Sequence, residues 1–375
     1  MTDPGLLAMA YLSRVVEPPC PQLAALVSRV GPVEAADRVK RRAVDESLLL
    51  VSEARYKIDC AARDLALLER LGGRLVTAAD EEWPLLAFTA FAGVDTKQRP
   101  EAHPPLALWV TGPARLDEVA ERAAAIVGTR AATAYGEHVA AELAAGLAER
   151  DVAVVSGGAY GIDGASHRAA LAADGCTVAI LAGGIDVSYP SGHSALFQRI
   201  GEQGLIVTEY PPGLRPQRHR FLTRNRLVAA LSGATVVVEA GARSGAANTA
   251  AWARVLGRGL CAVPGPVTSS ASVGCHVLLR EGGATVVTRA DEVLEMVGRA
   301  GELAIEPERP GSVLDDLADN ERRVYDALPA RGARTVDQIA VASGLPPTQV
   351  LGPLSMLEIT GLVVRHGGRW KLAPR

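Results

Sequence analysis

The chain has 375 residues, more than one domain usually holds, so two or three units with at least one large buried core are expected. Its 39 Lys plus Arg against 42 Asp plus Glu leave a net charge of −3, which excludes a uniformly basic nucleic-acid binder and requires any polyanion site to be a local patch. Hydrophobic residues reach 48%, yet no apolar run approaches the roughly 20 residues of a membrane helix, and the five cysteines, never spaced C-x-x-C, read as reduced structural thiols. The N-terminus lacks the basic segment of an export signal, so a soluble cytoplasmic protein without membrane contact is expected.

Residues 1–72 carry apolar positions at helical spacing in LLAMAYLSRVV, QLAALVSRV and CAARDLALLERL, separated by PPCP and GP, and predict a small helical domain of the SAM or helix-hairpin-helix kind. From Gly72 to Arg115 the pattern is mixed, with strands expected in GGRLVTAADEEWP and PPLALWVTGP of a connecting region. From Ala125 onward, AAIVGT, VAVVSG, TVAILAG, LIVTEY, ATVVVEA and LCAVPG alternate with amphipathic segments. Strands apolar on both faces need helices on both sides. A doubly wound, Rossmann-like α/β domain over 73–297 is predicted, with ligands outside the carboxyl ends of its parallel strands. The acidic, proline-bearing stretch 298–314 reads as a linker. Over 315–375, two helical patterns joined at Gly344 and two strands around a Gly-Gly turn predict a winged helix.

Five features leave predicted strands at that carboxyl edge. Gly128-Thr129-Arg130 offers a tight turn and a guanidinium able to grip a phosphate. Ser156-Gly157-Gly158-Ala159, continuing to Asp163, is a glycine-rich turn opening a helix, whose free amides favour an anion. It departs from G-x-G-x-x-G and no acid follows at the next strand end, so a dinucleotide is disfavoured. RPQRHRFLTRNR places Arg215, Arg218, Arg220, Arg224 and Arg226 around Phe221 with no carboxylate among them. Arginines follow a backbone and an aromatic ring stacks a base, the combination used for single strands. Ser244-Gly245, after the strand ending Glu239-Ala240, begins another helix suited to phosphate. Glu239 itself is expected to cap a helix or hold an arginine, Asp163 to cap and His167 to pack in the core. Pro264-Gly265-Pro266 shapes the rim. A Walker loop, an H-E-x-x-H motif, paired Cys/His spacing and a G-x-S-x-G elbow are all missing, so no cofactor, metal or catalytic residue is expected.

In order, AIVGTR, SGGAYGID, LAGGIDVSYP, TEYPPG, RFLTRNR, EAGARSG and CAVPGP resemble the successive motifs of the DprA (Smf) family of bacterial DNA-processing proteins over roughly residues 73–290. The resemblance implies a non-enzymatic factor of natural transformation that captures incoming single-stranded DNA, self-associates as a homodimer and helps load the RecA recombinase. By motif it places the DNA pocket at Arg130, Ser156, Gly157, Gly158, Phe221, Arg224, Asn225 and Arg226, with Arg220 as an extension. Together with the strand-end reading, Gly128, Thr129, Ala159, Ser244 and Gly245 join that set. Leu222 stands where the family usually has Pro, Cys275-His276 where an Asn is common, and GAANTA replaces Gly-Ser-Leu-x-Thr-Ala.

A nucleoside-monophosphate phosphoribohydrolase of the LOG type is the main alternative, but its P-G-G-x-G-T-x-x-E motif has no counterpart in EAGARSGAANTAAWA. A duplex-DNA regulator is disfavoured because the presumed recognition helix, Pro347 to Thr360, has no Lys or Arg and is interrupted by Pro353. That helix suits a protein contact instead, with Arg365, His366, Arg369 and Lys371 of the wing left for weak DNA contact.

Overall fold

The structure, a computed structural model, describes residues 3–242, 244–298, 302, 314 and 317–373. Contacts divide the chain into two compact units, Met1–Ile305 and Glu306–Arg375. The expected 298–314 linker lies outside the described residues except at 298, 302 and 314.

In the first unit, helices α1 (Pro4–Val15), α2 (Pro21–Val30), α3 (Pro32–Lys40), α4 (Glu46–Ser52) and α5 (Ala61–Arg70) come first. Proline opens three of them, where its missing N–H would have had no partner. Then follow β1 (Gly73–Thr77), α6 (Leu85–Phe88), β2 (Ala107–Thr111), α7 (Leu116–Glu121), β3 (Ala123–Val127), α8 (Ala134–Ala148), β4 (Ala153–Ser156), α9 (Ile162–Ala172), β5 (Thr177–Ile180), α10 (Ser194–Gln203) and β6 (Leu205–Thr208). The unit closes with α11 (Arg218–Ala230), β7 (Ala234–Val237), α12 (Gly245–Val255), β8 (Gly259–Ala262), α13 (Val273–Arg280), β9 (Thr285–Val286) and α14 (Ala290–Val297).

All nine strands form one sheet in the order β1-β2-β6-β5-β4-β3-β7-β8-β9. β6 to β9 pair in parallel, as their two-faced apolar sequences require, while β1 and β2 add an antiparallel edge. The stretch from Gly72 to Arg115 is thus part of the sheet rather than a connector. The N-terminal helices, too, do not stand apart: Tyr11, Leu12, Leu23 and Leu68 share one core with Leu75, Trp109, Ala179 and Ile206 of the sheet. β3 and β7 lie side by side, yet α8 leads from β3 towards β4 and α12 leads from β7 towards β8. Opposite exits leave a crevice outside their carboxyl ends.

The second unit comprises α15 (Asp319–Asp326), α16 (Val336–Ser343), α17 (Pro347–Ile359), β10 (Val363–His366) and β11 (Arg369–Leu372), with the last two paired antiparallel. α17 is continuous through Pro353, which corrects the expected interruption. It buries Val350, Leu354 and Leu357 on one stripe with Ile339, Val363 and Trp370. No helix among the described residues is long and apolar enough to cross a membrane.

Candidate nucleic-acid interface

An open cleft of about 850 Å³ lies at the β3/β7 crevice. Its walls hold Gly128, Thr129, Arg130, Gly157, Ala159, Phe221, Arg224, Asn225, Ser244 and Gly245, residues drawn from four separate segments. The first wall is the turn after β3. A Cβ on Gly128 would collide with Ile162 and come within 2.9 Å of the Glu239 carbonyl, so only glycine lets this turn close. Thr129 N donates to that same carbonyl at 2.7 Å, and Arg130 beyond it is exposed.

The loop after β4 works differently from the expectation. Gly157 N and Ala159 N donate to the Asp163 carboxylate at 3.2 and 3.3 Å. The amides read as an external anion site already hold an internal one. Burial pushes the Asp163 carboxyl up, and Arg224 opposes that rise. Ser156 and Gly158 do not face the cleft. The Ser156 hydroxyl is buried and donates to Ile126 O at 2.6 Å, and Gly158 packs on Phe197, where a Cβ would sit 2.5 Å from the ring.

α11 supplies the rest, and it sorts its arginines. Arg226 is buried, its guanidinium 0% exposed, and both terminal nitrogens donate to Glu209 at 2.6 Å. Arg220, 3% exposed, donates to Glu17 at 2.5 and 3.2 Å and stacks over Tyr210. Neither is available to a ligand, which corrects their placement in the DNA pocket: carboxylates absent from the local stretch arrive from β6 and from the end of α1. Arg224 is also buried, but it lines the cleft. Its Nη1 donates to Gly157 O at 2.8 Å and to Ile180 O, and its Nε donates to Asn225 Oδ1 at 3.2 Å. A Cβ on Gly157 would strike this guanidinium. Burial pulls the Arg224 pKa down to about 10, with Asp163 opposing, so it stays cationic at neutral pH. Asn225 ties α11 to α12 through Nδ2, which donates to Gly245 O and Asn248 Oδ1.

Arg130 and Phe221 converge across some ninety positions of chain. The Arg130 guanidinium carbon lies 5.2 Å from the centre of the Phe221 ring, and Tyr189 stands 5.5 Å from it on the other loop. A cation over one face of an aromatic ring keeps the ring held and its edge accessible. Arg218 of the arginine cluster also lines the cleft, and so does Tyr189, which was missed as a site residue; the aromatic of SYP at the end of a strand-leaving loop is the signal that could have found it. Asp163 is the one carboxylate on the wall among the described residues.

Glu239 is 1% exposed and accepts from Thr133 N at 2.9 Å and from Thr133 Oγ1 at 2.6 Å, fixing the start of α8 as the helix-capping reading expects. Ser244 is the N-cap of α12, its hydroxyl accepting from Ala247 N at 3.3 Å. His167 is fully buried, with Nδ1 2.7 Å from Thr177 Oγ1. Among the described residues no three His, Cys, Asp or Glu gather to hold a metal, and all five cysteines are free.

Residues 74–298 match the family model described as DNA recombination-mediator protein A, and residues 307–369 match that of the DprA winged helix domain. The chain belongs to the DNA recombination-mediator protein A (DprA) family. It is 68% identical over 372 residues to a DNA processing protein DprA of Mycobacterium tuberculosis, covering 99% of this chain and 95% of that one. The Smf protein of Escherichia coli is 34% identical over 311 residues, 81% of this chain and 78% of that one. Among solved structures, the family member from Streptococcus pneumoniae is 28% identical with a TM-score of 0.62, covering 79% of this chain and 99% of that chain. DNA processing protein A from Helicobacter pylori, whose structure describes a single-stranded DNA binding mode, is 28% identical with a TM-score of 0.51 over 60% of this chain and 94% of that chain.

Proposed function

We propose that this family member binds single-stranded DNA in the β3/β7 cleft and serves recombination as a mediator rather than as an enzyme. The observation that carries the reading is the Arg130–Phe221–Tyr189 cluster on an open cleft with a single carboxylate. Rings that open onto a cleft stack unpaired bases of any sequence, and Arg130 and Arg218 meet the backbone. A duplex keeps its bases stacked and paired, so these rings would have nothing to take. Family membership and the single-stranded DNA bound by the Helicobacter pylori relative support the same ligand.

The mediator role extends to a RecA-type recombinase as partner, a homodimer as working form and the cytoplasm as location. α17 supports a protein contact: it has no Lys or Arg and leaves Leu351, Met356 and Ile359 exposed. Base release from a nucleoside monophosphate is disfavoured, because the Glu239 carboxylate is occupied by Thr133 and withdrawn from the cleft. Titration of the full chain with single-stranded DNA, duplex DNA and nucleoside monophosphates tests the reading. Single strands should bind tightest, with affinity falling as salt rises. Base release or ATP hydrolysis abolished by Glu239→Gln would sink it.

A further inference from the structure

The loop that carries Gly157 and Ala159 into the cleft continues to Tyr160, which lies outside it and is 48% exposed. Its ring stands edge-on to His193, with centroids 4.7 Å apart and planes at 75°. His193 is itself fixed, its Nδ1 3.0 Å from Gly158 O and its ring 6.2 Å from Phe197. Tyr160 is therefore held at a set angle with about half of its surface open to solvent. The turn it leans on begins directly after Tyr189-Pro190, and a Cβ on Gly192 would lie 2.5 Å from the Tyr160 hydroxyl. Tyr189, 47% exposed and 5.5 Å from Phe221 in the cleft, thus leads along the chain into the turn that Tyr160 meets outside it.

A cation also lies near His193, though without the direct ring contact that Arg130 makes with Phe221. Arg168 on α9 is exposed and makes no ion pair or hydrogen bond among the described residues. It flanks Gly164 together with His193: a Cβ there would lie 2.6 Å from His193 Cε1 and 3.1 Å from Arg168 Nη1. Near the cleft Arg220, Arg224 and Arg226 are consumed by carboxylates or carbonyls, whereas Arg168, like Arg130, has no such partner among the described residues, and an unpaired cation near an open ring points to a ligand that brings both base and phosphate.

We propose that Tyr160 and Arg168 form a second single-strand contact, which stacks a base on Tyr160 and receives a phosphate on Arg168 as the strand leaves the cleft past Tyr189. It rests on the cleft reading and extends it into a path. Binding of the full-length chain to oligothymidylates of about 4 and about 12 nucleotides, lengths spanning the usual site sizes, tests it. Tyr160→Ala should weaken the longer strand at least about fivefold and the shorter less than about twofold, with Tyr160→Phe like the parent. Arg168→Ala should flatten the salt dependence of the longer strand by about 0.7 log units per log unit. Parent-like affinity and salt slope of both alanine variants for the longer strand overturn the proposal, and if Phe221→Ala then weakens both lengths the cleft reading stands. Phe221→Ala binding both lengths like the parent overturns the cleft and its exit path together.

Discussion

α11 and α17 are each thirteen residues long and look opposite in sequence, four arginines in one and no cation in the other. By composition α11 is the DNA helix and α17 the inert one. The structure changes the terms: three of the four α11 arginines are buried, two of them neutralised by Glu17 and Glu209, while α17 presents Leu351, Met356 and Ile359 to solvent. What distinguishes the two helices is which side chains reach the surface, and for α11 these are Arg218, His219 and Leu222, with Phe221 part-buried and Arg224 buried in the cleft wall. A guanidinium in a sequence is a potential contact; in a core it is a strut.

Arg226→Ala should break this contrast most visibly. Leaving Glu209 buried without its partner costs about 3–5 kcal/mol, to be read as a lowered urea midpoint at unchanged m. Single-strand affinity of the remaining folded protein should hold, and a selective loss of affinity at parental stability would return Arg226 to the DNA site.

His167 adds an acid sensitivity to the same interior. Burial depresses its pKa to about 3, so between there and the ordinary value of about 6.5 the unfolded chain takes a proton that the native state refuses. Stability should fall as pH drops through that window, by up to about 1.4 kcal/mol per unit. Urea unfolding across the range should show the slope, and His167→Gln should flatten it.

Phe221→Ala acts on the outer side of the comparison. Loss of one stacking platform should weaken single-strand binding by about 1–3 kcal/mol with the salt slope nearly unchanged. Arg130→Ala should do the reverse in kind, flattening the slope by about 0.7 log units per log unit as one phosphate contact goes. Parental slopes in Arg130→Ala would make that arginine a support for the Phe221 ring only.

The smallest effect is expected from α17 and its unit. A chain ending at Ile305, where the first compact unit ends, should bind short oligonucleotides within about tenfold of the parent, or about 1.4 kcal/mol. A larger loss would show that the winged helix touches the strand.

Sequence by itself determined the alternation of two-faced strands and helices, the carboxyl edge on which a site must lie, the winged helix, and the pairing of Arg130 with the Phe221 segment. All follow from local patterns: apolar periodicity, turn chemistry, and the rule that parallel strands end on one side. Only the tertiary structure decided which arginines were free. Glu17 lies some two hundred positions before Arg220, and nothing in RPQRHRFLTRNR announces it. Likewise the Gly157 and Ala159 amides read as open in the sequence, yet Asp163, which stands inside α9 rather than capping it as expected, fills the anion site from within. Tyr189 entered because the loops after β3 and β5 meet α11 in space. Charge pairing and burial belong to what surrounds a side chain from every direction, and a sequence supplies its neighbours along only one.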